Sequence, residues 1–206
     1  MPNVTLSINT KQIDRLANEL KEFPREVGEA TRLALNRTID HAITKTGQIV
    51  PKFYVIKSAE VKASFKGGIK RPSKSDLSAS ITSSGPTLSL AHFPYTPKSP
   101  KRGGKSIFRN AVMVTIKKSK GKVISKKGFV ASTGAKSEDK TQFNVFMRVG
   151  NKRLPIAPIR TLSIPQMITA EGVDKQIMNA ASSKFEERLE HEIVREMTKM
   201  DKAIRG

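Results

Sequence analysis

The strongest constraint on the fold is a long amphipathic pattern at the C-terminal end, in residues 171–206. Apolar side chains recur there every three or four residues from Val173 to Ile204, with acidic residues near the start and basic residues near the end. A helix of about 33 residues is about 50 Å long, whereas a compact domain of this size has a radius of gyration of about 17 Å. The sequence therefore predicts a helix as long as the body against which it packs, or longer.

The apolar face of this predicted helix needs a surface that covers it. Because the helix is so long, we expect part of that face to contact another subunit. The candidate subunit-interface residues are Ile177, Phe185, Leu189, Ile193 and Met197. A bent helix that wraps over its own core is the alternative.

The first fifty residues predict a pair of helices. Apolar residues follow helical spacing in residues 10–23, and Pro24 ends that helix while suiting the first turn of the next. The second helix has its apolar face in residues 27–43 and is expected to end near Gly47 and Pro51.

Between the helices the pattern changes to that of β-strands. One or two helical turns are expected first, at residues 58–65. Val, Ile, Phe and Thr then alternate with polar residues in six short segments, at residues 77–84, 87–90, 111–117, 122–125, 128–132 and 143–149. A turn is predicted at residues 118–121, and exposed loops at residues 92–104 and 134–141. The predicted fold class is α+β: a small antiparallel sheet, a sandwich or a partly open barrel, flanked by N-terminal helices and one long C-terminal helix.

Length and composition favour a single domain over residues 1–206. A chain of 206 residues with 37% hydrophobic content can bury one core, built from an N-terminal helical pair (1–50), a basic β body (51–170) and the C-terminal helix (171–206). The N-terminus shows no signal-peptide pattern, and the longest uncharged stretch is too polar to span a membrane. We therefore expect synthesis in the cytoplasm and no membrane contact.

The net charge of +20 is concentrated in the middle of the chain. Residues 51–170 carry 24 basic and 4 acidic side chains, against 7 and 6 in residues 1–50 and 7 and 8 in residues 171–206. Such a concentration of positive charge predicts a negatively charged partner, either nucleic acid or an acidic protein surface. The candidate contact residues are Lys98, Lys101, Arg102, Lys105, Arg109, Lys117, Lys118, Lys120, Lys122, Lys126 and Lys127.

The kind of basic residue favours loose charge matching over reading of bases. Lysine outnumbers arginine among these candidates, whereas bidentate contacts to base edges are made mainly by arginine. With two Tyr, nine Phe and no Trp, few aromatic side chains are available to stack on bases. A simpler interpretation is that many of these lysines are only solvated.

Residue patterns typical of catalysis are missing from the sequence. The chain has no cysteine, which excludes disulfides, thiolate-held metals and thiol nucleophiles. The three histidines have no metal-ligand spacing, the acidic residues Glu186, Glu187, Glu190 and Glu192 are interpreted as a solvated helix face, and no acidic cluster on the predicted strands could hold Mg²⁺. Residues 103–106 imitate the end of a phosphate-binding loop, but Ser99 stands where its first glycine is needed. We expect no enzyme activity, no cofactor, no metal and no small-molecule substrate.

Residues 144–168 resemble part of a known family. An apolar strand ends at Arg148, a basic turn and a Pro-Ile pair follow, and Ile164-Pro165 precedes a long charged helix. This order is similar to that of the phage minor tail protein Z family, and the N-terminal helical pair, with Ala-Leu-Asn-Arg at residues 34–37, agrees with it. The resemblance marks Arg148, Lys152, Arg153, Pro155 and Pro165 as candidate structural residues of the family signature. Residues 73–89 and 133–141 look like additions to the family pattern.

The resemblance implies a structural role in a virus particle. Members of such a family complete the tail of a long-tailed phage near its head-proximal end, without catalysis, in a ring or collar with other tail or neck proteins. Six copies would match the symmetry of such tails, and the chain would reach the virion after assembly in the host cytoplasm. The basic loops would face acidic tail components or DNA in the channel. The alternative that the residues leave open is a small basic protein that binds nucleic acid without sequence specificity.

Overall fold

Helices and strands are defined over most of the chain in the computed structural model, which describes residues 2–7, 24–100, 111–125, 127–137 and 140–205. In chain order the described elements are β1 (Asn3–Ser7), α1 (Pro24–Phe53), α2 (Ser58–Ala63), β2 (Ile69–Lys70), β3 (Ser80–Ser84), β4 (Tyr95–Thr96), β5 (Val112–Val114), β6 (Val123–Ser125), β7 (Phe129–Ser137), β8 (Lys140–Arg148), β9 (Ile156–Pro158), α3 (Ile164–Ile168) and α4 (Val173–Arg205). Short 3-10 turns lie at Leu90–His92 and Lys118–Lys120. The predicted C-terminal helix is confirmed, and the first predicted helix, at residues 10–23, lies outside the described residues.

Helices α1 and α4 pack against each other in opposite directions. Ala30 and Ala34 of α1 are fully buried, and these small side chains let the two helices approach closely. Thr38 and Thr46 are buried as well, and each hydroxyl donates a hydrogen bond to the carbonyl four residues earlier in α1, at 2.8 and 2.7 Å. The hydroxyls of these two threonines are therefore satisfied within the helix itself, whereas the buried hydroxyl of Thr31 has no hydrogen-bond partner among the described residues.

The apolar face of α4 packs within the chain, contrary to the prediction of a subunit interface there. Ile177, Phe185 and Leu189 are at most 2% exposed and belong to the core. Ile193 packs against the same core, and Met197, one turn further on, is partly buried. This face is buried because α1, which is 30 residues long, covers most of the length of the 33-residue α4.

Helix α1 runs beyond the end that the sequence predicted, through Gly47 and Pro51 to Phe53. Helix α2 approaches α1 closely at Gly47, where a Cβ would lie 2.8 Å from the Cε of Lys62 and would displace that side chain. Pro51 deprives the last turn of one hydrogen bond, but Val50 is fully buried and Tyr54 is 2% exposed. Burial of this turn therefore outweighs the helix-breaking tendency of the proline.

The strands form three small antiparallel sheets, in the orders β1-β3-β2, β4-β5-β6 and β7-β8-β9, with no closed barrel among the described residues. The α+β class is thus confirmed. Two local predictions are wrong: residues 87–90 hold an isolated bridge from Ser89 and the start of a 3-10 turn, and the expected loop at 134–141 is largely strand. A β-bulge accommodates Gly134, whose φ is 80°, so β7 continues through this glycine.

One cluster of buried residues joins the helices to the sheets. Ile81, Val112 and Val145, one from each sheet, belong to the same core as Met167 of α3 and the buried faces of α1 and α4. No helix in the described ranges is both long and apolar enough to cross a membrane.

Candidate docking surface

The basic surface is built on the sheet β4-β5-β6 and the turn that joins β5 to β6. The predicted turn at residues 118–121 is confirmed: a 3-10 turn spans Lys118–Lys120, and Gly121, with φ at 60°, reverses the chain into β6. Lys98, Lys118, Lys120, Lys122 and Lys127 are exposed and Lys117 is half-buried, whereas Lys101, Arg102, Lys105, Arg109 and Lys126 lie outside the described residues. We call the first six lysines the basic face.

An open groove of about 670 Å³ runs beside this face. Its apolar lining includes Val55, Ile56 and Phe93, and its basic lining consists of Lys57, Lys98 and Lys118. The groove is positioned by a link between the end of α1 and the end of β5: the amide of Val55 donates to the carbonyl of Ile116 at 2.9 Å. The other four lysines of the basic face are not among the described residues that line it: Lys117, Lys120, Lys122 and Lys127.

Aromatic rings hold two of the lysines in place. The Nζ of Lys98 lies 4.4 Å from the ring centroid of Tyr95, and the Nζ of Lys117 lies 5.6 Å from that of Tyr54. Tyr95 and Tyr54 are buried. Cation–π contacts of this kind are worth about 0.5–1 kcal/mol at exposed sites. They orient two ammonium groups without neutralising their charge.

The lysines of the basic face form no salt bridge with any described residue. Within the described part of the chain, no carboxylate lies within 4.0 Å of any of its six lysines. Lys70 differs, because its Nζ lies 2.9 Å from Asp76, and the hydrogen bond from Lys70 lowers the pKa of that carboxyl to about 2. The uncompensated lysines can therefore attract an anionic partner.

One close contact between a histidine and a carboxylate lies inside the groove. The Nε2 of His92 is 2.7 Å from the Oε2 of Glu60, and each side chain is 32% exposed. Elsewhere in the described ranges, no group of three or more His, Cys, Asp or Glu side chains could hold a metal ion. The groove thus offers apolar contact and cationic attraction to a bound chain.

The tip of the β8–β9 hairpin contains most of the signature residues. The guanidinium of Arg148 lies 5.4 Å from the ring centroid of Phe129 and donates a hydrogen bond to the carbonyl of Arg153, and the amide of Val149 donates to the carbonyl of Pro155 at 3.1 Å. Lys152 and Arg153 are exposed. These contacts fix the conformation of the turn, while its two cationic side chains remain free to face a partner.

The last signature residue, Pro165, lies elsewhere, in the first turn of α3. The Oγ of Ser163 accepts a hydrogen bond from the amide of Gln166 at 3.3 Å, and the Gln166 side chain accepts one from the amide of Ser163 at 2.9 Å. Pro165 suits the first turn of this capped helix because it has no amide hydrogen to leave unpaired. It is buried, which agrees with a structural use.

Sequence reasoning missed the exposed apolar residues of the hairpin tip. Val149 is 62% exposed and Leu154 is 67% exposed, on either side of the basic turn. The signal was present in the sequence as two aliphatic residues that flank Lys152 and Arg153 in a Gly-containing turn.

The interpretation of Glu192 as part of a solvated helix face is wrong. This side chain is 1% exposed, between α1 and α4, with the Nε of Arg37 3.3 Å from Oε1 and a guanidinium nitrogen of Arg195 3.1 Å from Oε2. The Arg37 contact lacks hydrogen-bond geometry, so Oε1 has no hydrogen-bond partner among the described residues. The long α1 covers this position, and the residue pattern of α4 alone does not predict that Glu192 is buried.

Together, these features define a basic protein of mixed helix and sheet whose exposed surfaces suit contacts with other macromolecules. The family model described as prophage minor tail protein Z (GPZ) matches residues 10–202. The chain belongs to this family of structural phage tail proteins, and the resemblance seen in its sequence is confirmed. No match was found among curated proteins or among solved structures.

Proposed function

We propose that this chain is a non-enzymatic tail-completion protein, which forms a ring or collar at the head-proximal end of a long-tailed phage tail and docks neighbouring tail or neck proteins. The family match over residues 10–202 carries the proposal, because the family is one of structural tail proteins. The chain would assemble in the host cytoplasm and remain in the virion.

The distribution of charge supports assembly through unlike surfaces. Residues 171–206 carry 7 basic and 8 acidic side chains, whereas residues 51–170 carry 24 and 4. Closed rings use heterologous interfaces, in which one patch of each subunit contacts a different patch of the next. A ring of six copies would match the symmetry that the family resemblance implies for such tails.

The basic face supports docking onto an acidic neighbour. Its described lysines have no carboxylate within 4.0 Å in the described part of the chain, and Lys98 and Lys118 line an apolar groove that could bind a protein segment. Lysine matches charge without reading bases. We therefore favour an acidic tail or neck protein as the partner, with DNA in the channel as the second possibility.

The proposal can be tested by locating the chain in the particle. Gold-labelled antibody against the chain, imaged on purified virions by electron microscopy, should mark the head-proximal end of the tail. Label on the distal tip, or purified particles without the chain, would overturn the proposal.

A small nucleic-acid-binding protein is the second candidate, favoured by the uncompensated lysines alone. It predicts that an isolated monomer binds DNA tightly, and that affinity falls by orders of magnitude as salt rises from about 50 to about 200 mM. Filter binding of DNA across this salt range tests this candidate. Weak retention of DNA at the lowest salt would contradict it.

A further inference from the structure

We propose that the tip of the β8–β9 hairpin, residues 148–154, docks on the outer side of α4 in a second copy of the chain. The docking site there is the outer stripe, formed by Glu187, Glu190 and Val194. This inference rests on the proposed function, because it names the surfaces through which copies would assemble.

The hairpin tip has the properties of a preformed contact surface. Val149 and Leu154 expose 62% and 67% of their surface, on a turn whose conformation is fixed by the contacts of Arg148. Large exposed aliphatic side chains on a rigid turn lose little conformational entropy when they bind. The neighbouring side chains of Lys152 and Arg153 are exposed and add two positive charges.

The outer stripe of α4 is the complement of this tip. Glu187, Glu190 and Val194 are spaced by three and four residues, so they share one face of the helix. The opposite face, with Phe185 and Leu189, is buried against the core of the same chain. Val194 is 66% exposed and therefore presents an aliphatic side chain on this face.

Glu187, one acidic group of the stripe, is held in its charged form by a neighbouring lysine. A hydrogen bond of 2.6 Å from Lys184 lowers the pKa of Glu187. The side chain of Glu187 is nevertheless 61% exposed, so its carboxylate can still face a second cation. The stripe therefore offers one apolar residue and at least two carboxylates to an approaching surface.

Charge complementarity points to a second copy of this chain as the occupant. In a chain with a net charge of +20, residues 171–206 are the segment in which acidic side chains outnumber basic ones. Lys152 and Arg153 of one copy fit Glu187 and Glu190 of the next, with the aliphatic residues of the tip over Val194. Both surfaces are exposed within one chain, so neither is occupied by the other.

The contact joins two different surfaces and is therefore heterologous. Such a contact, repeated from copy to copy, produces a ring when the rotation closes and a filament when it does not. The buried face of α4 is not required, which reconciles assembly through this helix with the burial of Phe185 and Leu189 in the core.

The test uses two charge-reversed variants of the full chain. The tip-reversed variant is Lys152→Glu/Arg153→Glu, and the stripe-reversed variant is Glu187→Lys/Glu190→Lys. Sedimentation velocity at about 50 mM salt, with concentrations up to about 1 mM, should show self-association of the unaltered chain. Each variant alone should remain monomeric, because its tip and its stripe then carry charges of the same sign.

Mixing the two variants gives the decisive result. The acidic tip of one variant fits the basic stripe of the other, and the reverse pair also fits, so an equimolar mixture should regain assembly with alternating copies. Leu154→Ser, which keeps all charges, should weaken self-association at least about tenfold if the aliphatic contact contributes. A mixture that stays monomeric, or an unaltered chain that is monomeric throughout, would overturn the inference.

A matched control separates this inference from the proposed function. Lys120→Glu/Lys122→Glu makes the same change in net charge as the tip-reversed variant, but on the basic face, and should leave self-association intact while weakening binding to heparin. Thermal melts of all variants should coincide within a few degrees, since every altered side chain is exposed. If virion imaging places the chain in the tail but mixing fails to restore assembly, the tail role stands and the tip-to-stripe contact is wrong.

Discussion

Helices α1 and α4, which together form the helical layer, differ from the basic face in how their charged side chains are paired. In α1 and α4, charged side chains find partners in the same chain: Arg32 pairs with Glu29, and Lys199 lies 2.6 Å from Glu196. On the basic face, lysines such as Lys118 have no carboxylate within 4.0 Å among the described residues. The comparison teaches that many charges of the helices are paired within the chain, whereas the lysines of the basic face have no carboxylate partner among the described residues.

The largest expected effect concerns the core of the helical layer. Phe185→Ala removes a core side chain of α4 that is 1% exposed, and should lower the free energy of unfolding by about 3–5 kcal/mol, measured by urea denaturation. Val194→Ala on the exposed side of the same helix should change it by less than about 0.5 kcal/mol. Equal effects at the two positions would contradict the burial of this face within a single chain.

The next effect concerns the buried carboxylate of Glu192, which faces two arginines in the helical layer. Glu192→Gln keeps the size of the side chain but removes the charge that faces Arg37 and Arg195, and should lower the free energy of unfolding by about 2 kcal/mol. Both arginines are about half exposed, so solvent limits the loss. Glu190→Gln is the control, and the idea fails if the two variants unfold at the same urea concentration.

A third prediction concerns binding of an anionic polymer by the basic face. Lys118→Glu/Lys120→Glu/Lys122→Glu should weaken binding to heparin at about 50 mM salt at least tenfold, about 1.4 kcal/mol, with little change in the melting temperature. The reason is that these charges stabilise no contact inside the described part of the chain. Binding can be measured by isothermal titration calorimetry.

The control for this triple change reverses three exposed lysines elsewhere, at Lys66, Lys175 and Lys202. Both variants have the same net charge, so they differ only in where the charge lies. If both lose the same affinity for heparin, the basic face is not a distinct site.

The smallest effect is a pH dependence in the helical layer. Burial lowers the pKa of His41 below its usual value, and the charges of Lys184, Lys45 and Arg188 lower it further, against an opposite effect of Glu187. The unfolded chain, with a histidine pKa of about 6.5, then binds more protons than the folded chain just below that pH. Stability that is fully present above about pH 6.5 is therefore lost as the pH falls towards the folded pKa of His41.

His41→Gln should remove this contribution. Melting temperatures at about pH 7.5 and about pH 5.5 should differ less in the variant than in the unaltered chain, because glutamine does not titrate in this range. An unchanged difference between the two pH values would show that other groups cause the pH dependence.

Much of the fold could be predicted because it depends on local patterns. Pro24 begins α1 as expected, and the turn at residues 118–121 lies between β5 and β6 as predicted. The strands β2, β4 and β9 were missed because each has only two or three residues, too few to show an alternating pattern. The predicted strand at residues 87–90 failed because Ser89 caps a 3-10 turn, a local hydrogen bond that competes with strand pairing.

The candidate site was predicted in part. Composition identified the basic residues, and the structure shows that Lys98 and Lys118 line one groove although 20 positions separate them. The groove itself depends on the link between Val55 and Ile116, which are distant in the chain. No periodic pattern contains such a contact, so the sequence could name charged side chains without showing which of them share a cavity.

By itself, the sequence determined the long helix Val173–Arg205, the mixed helix-and-sheet class and the concentration of positive charge in the middle of the chain. These properties follow from side-chain periodicity and composition, which need no knowledge of distant neighbours. Only the tertiary structure decided that Phe185 lies in the core, that Glu192 faces Arg37 of α1 and that Leu154 faces solvent. The physical reason is that a pattern shows which side of a helix or turn is apolar, whereas burial depends on the element that packs against it.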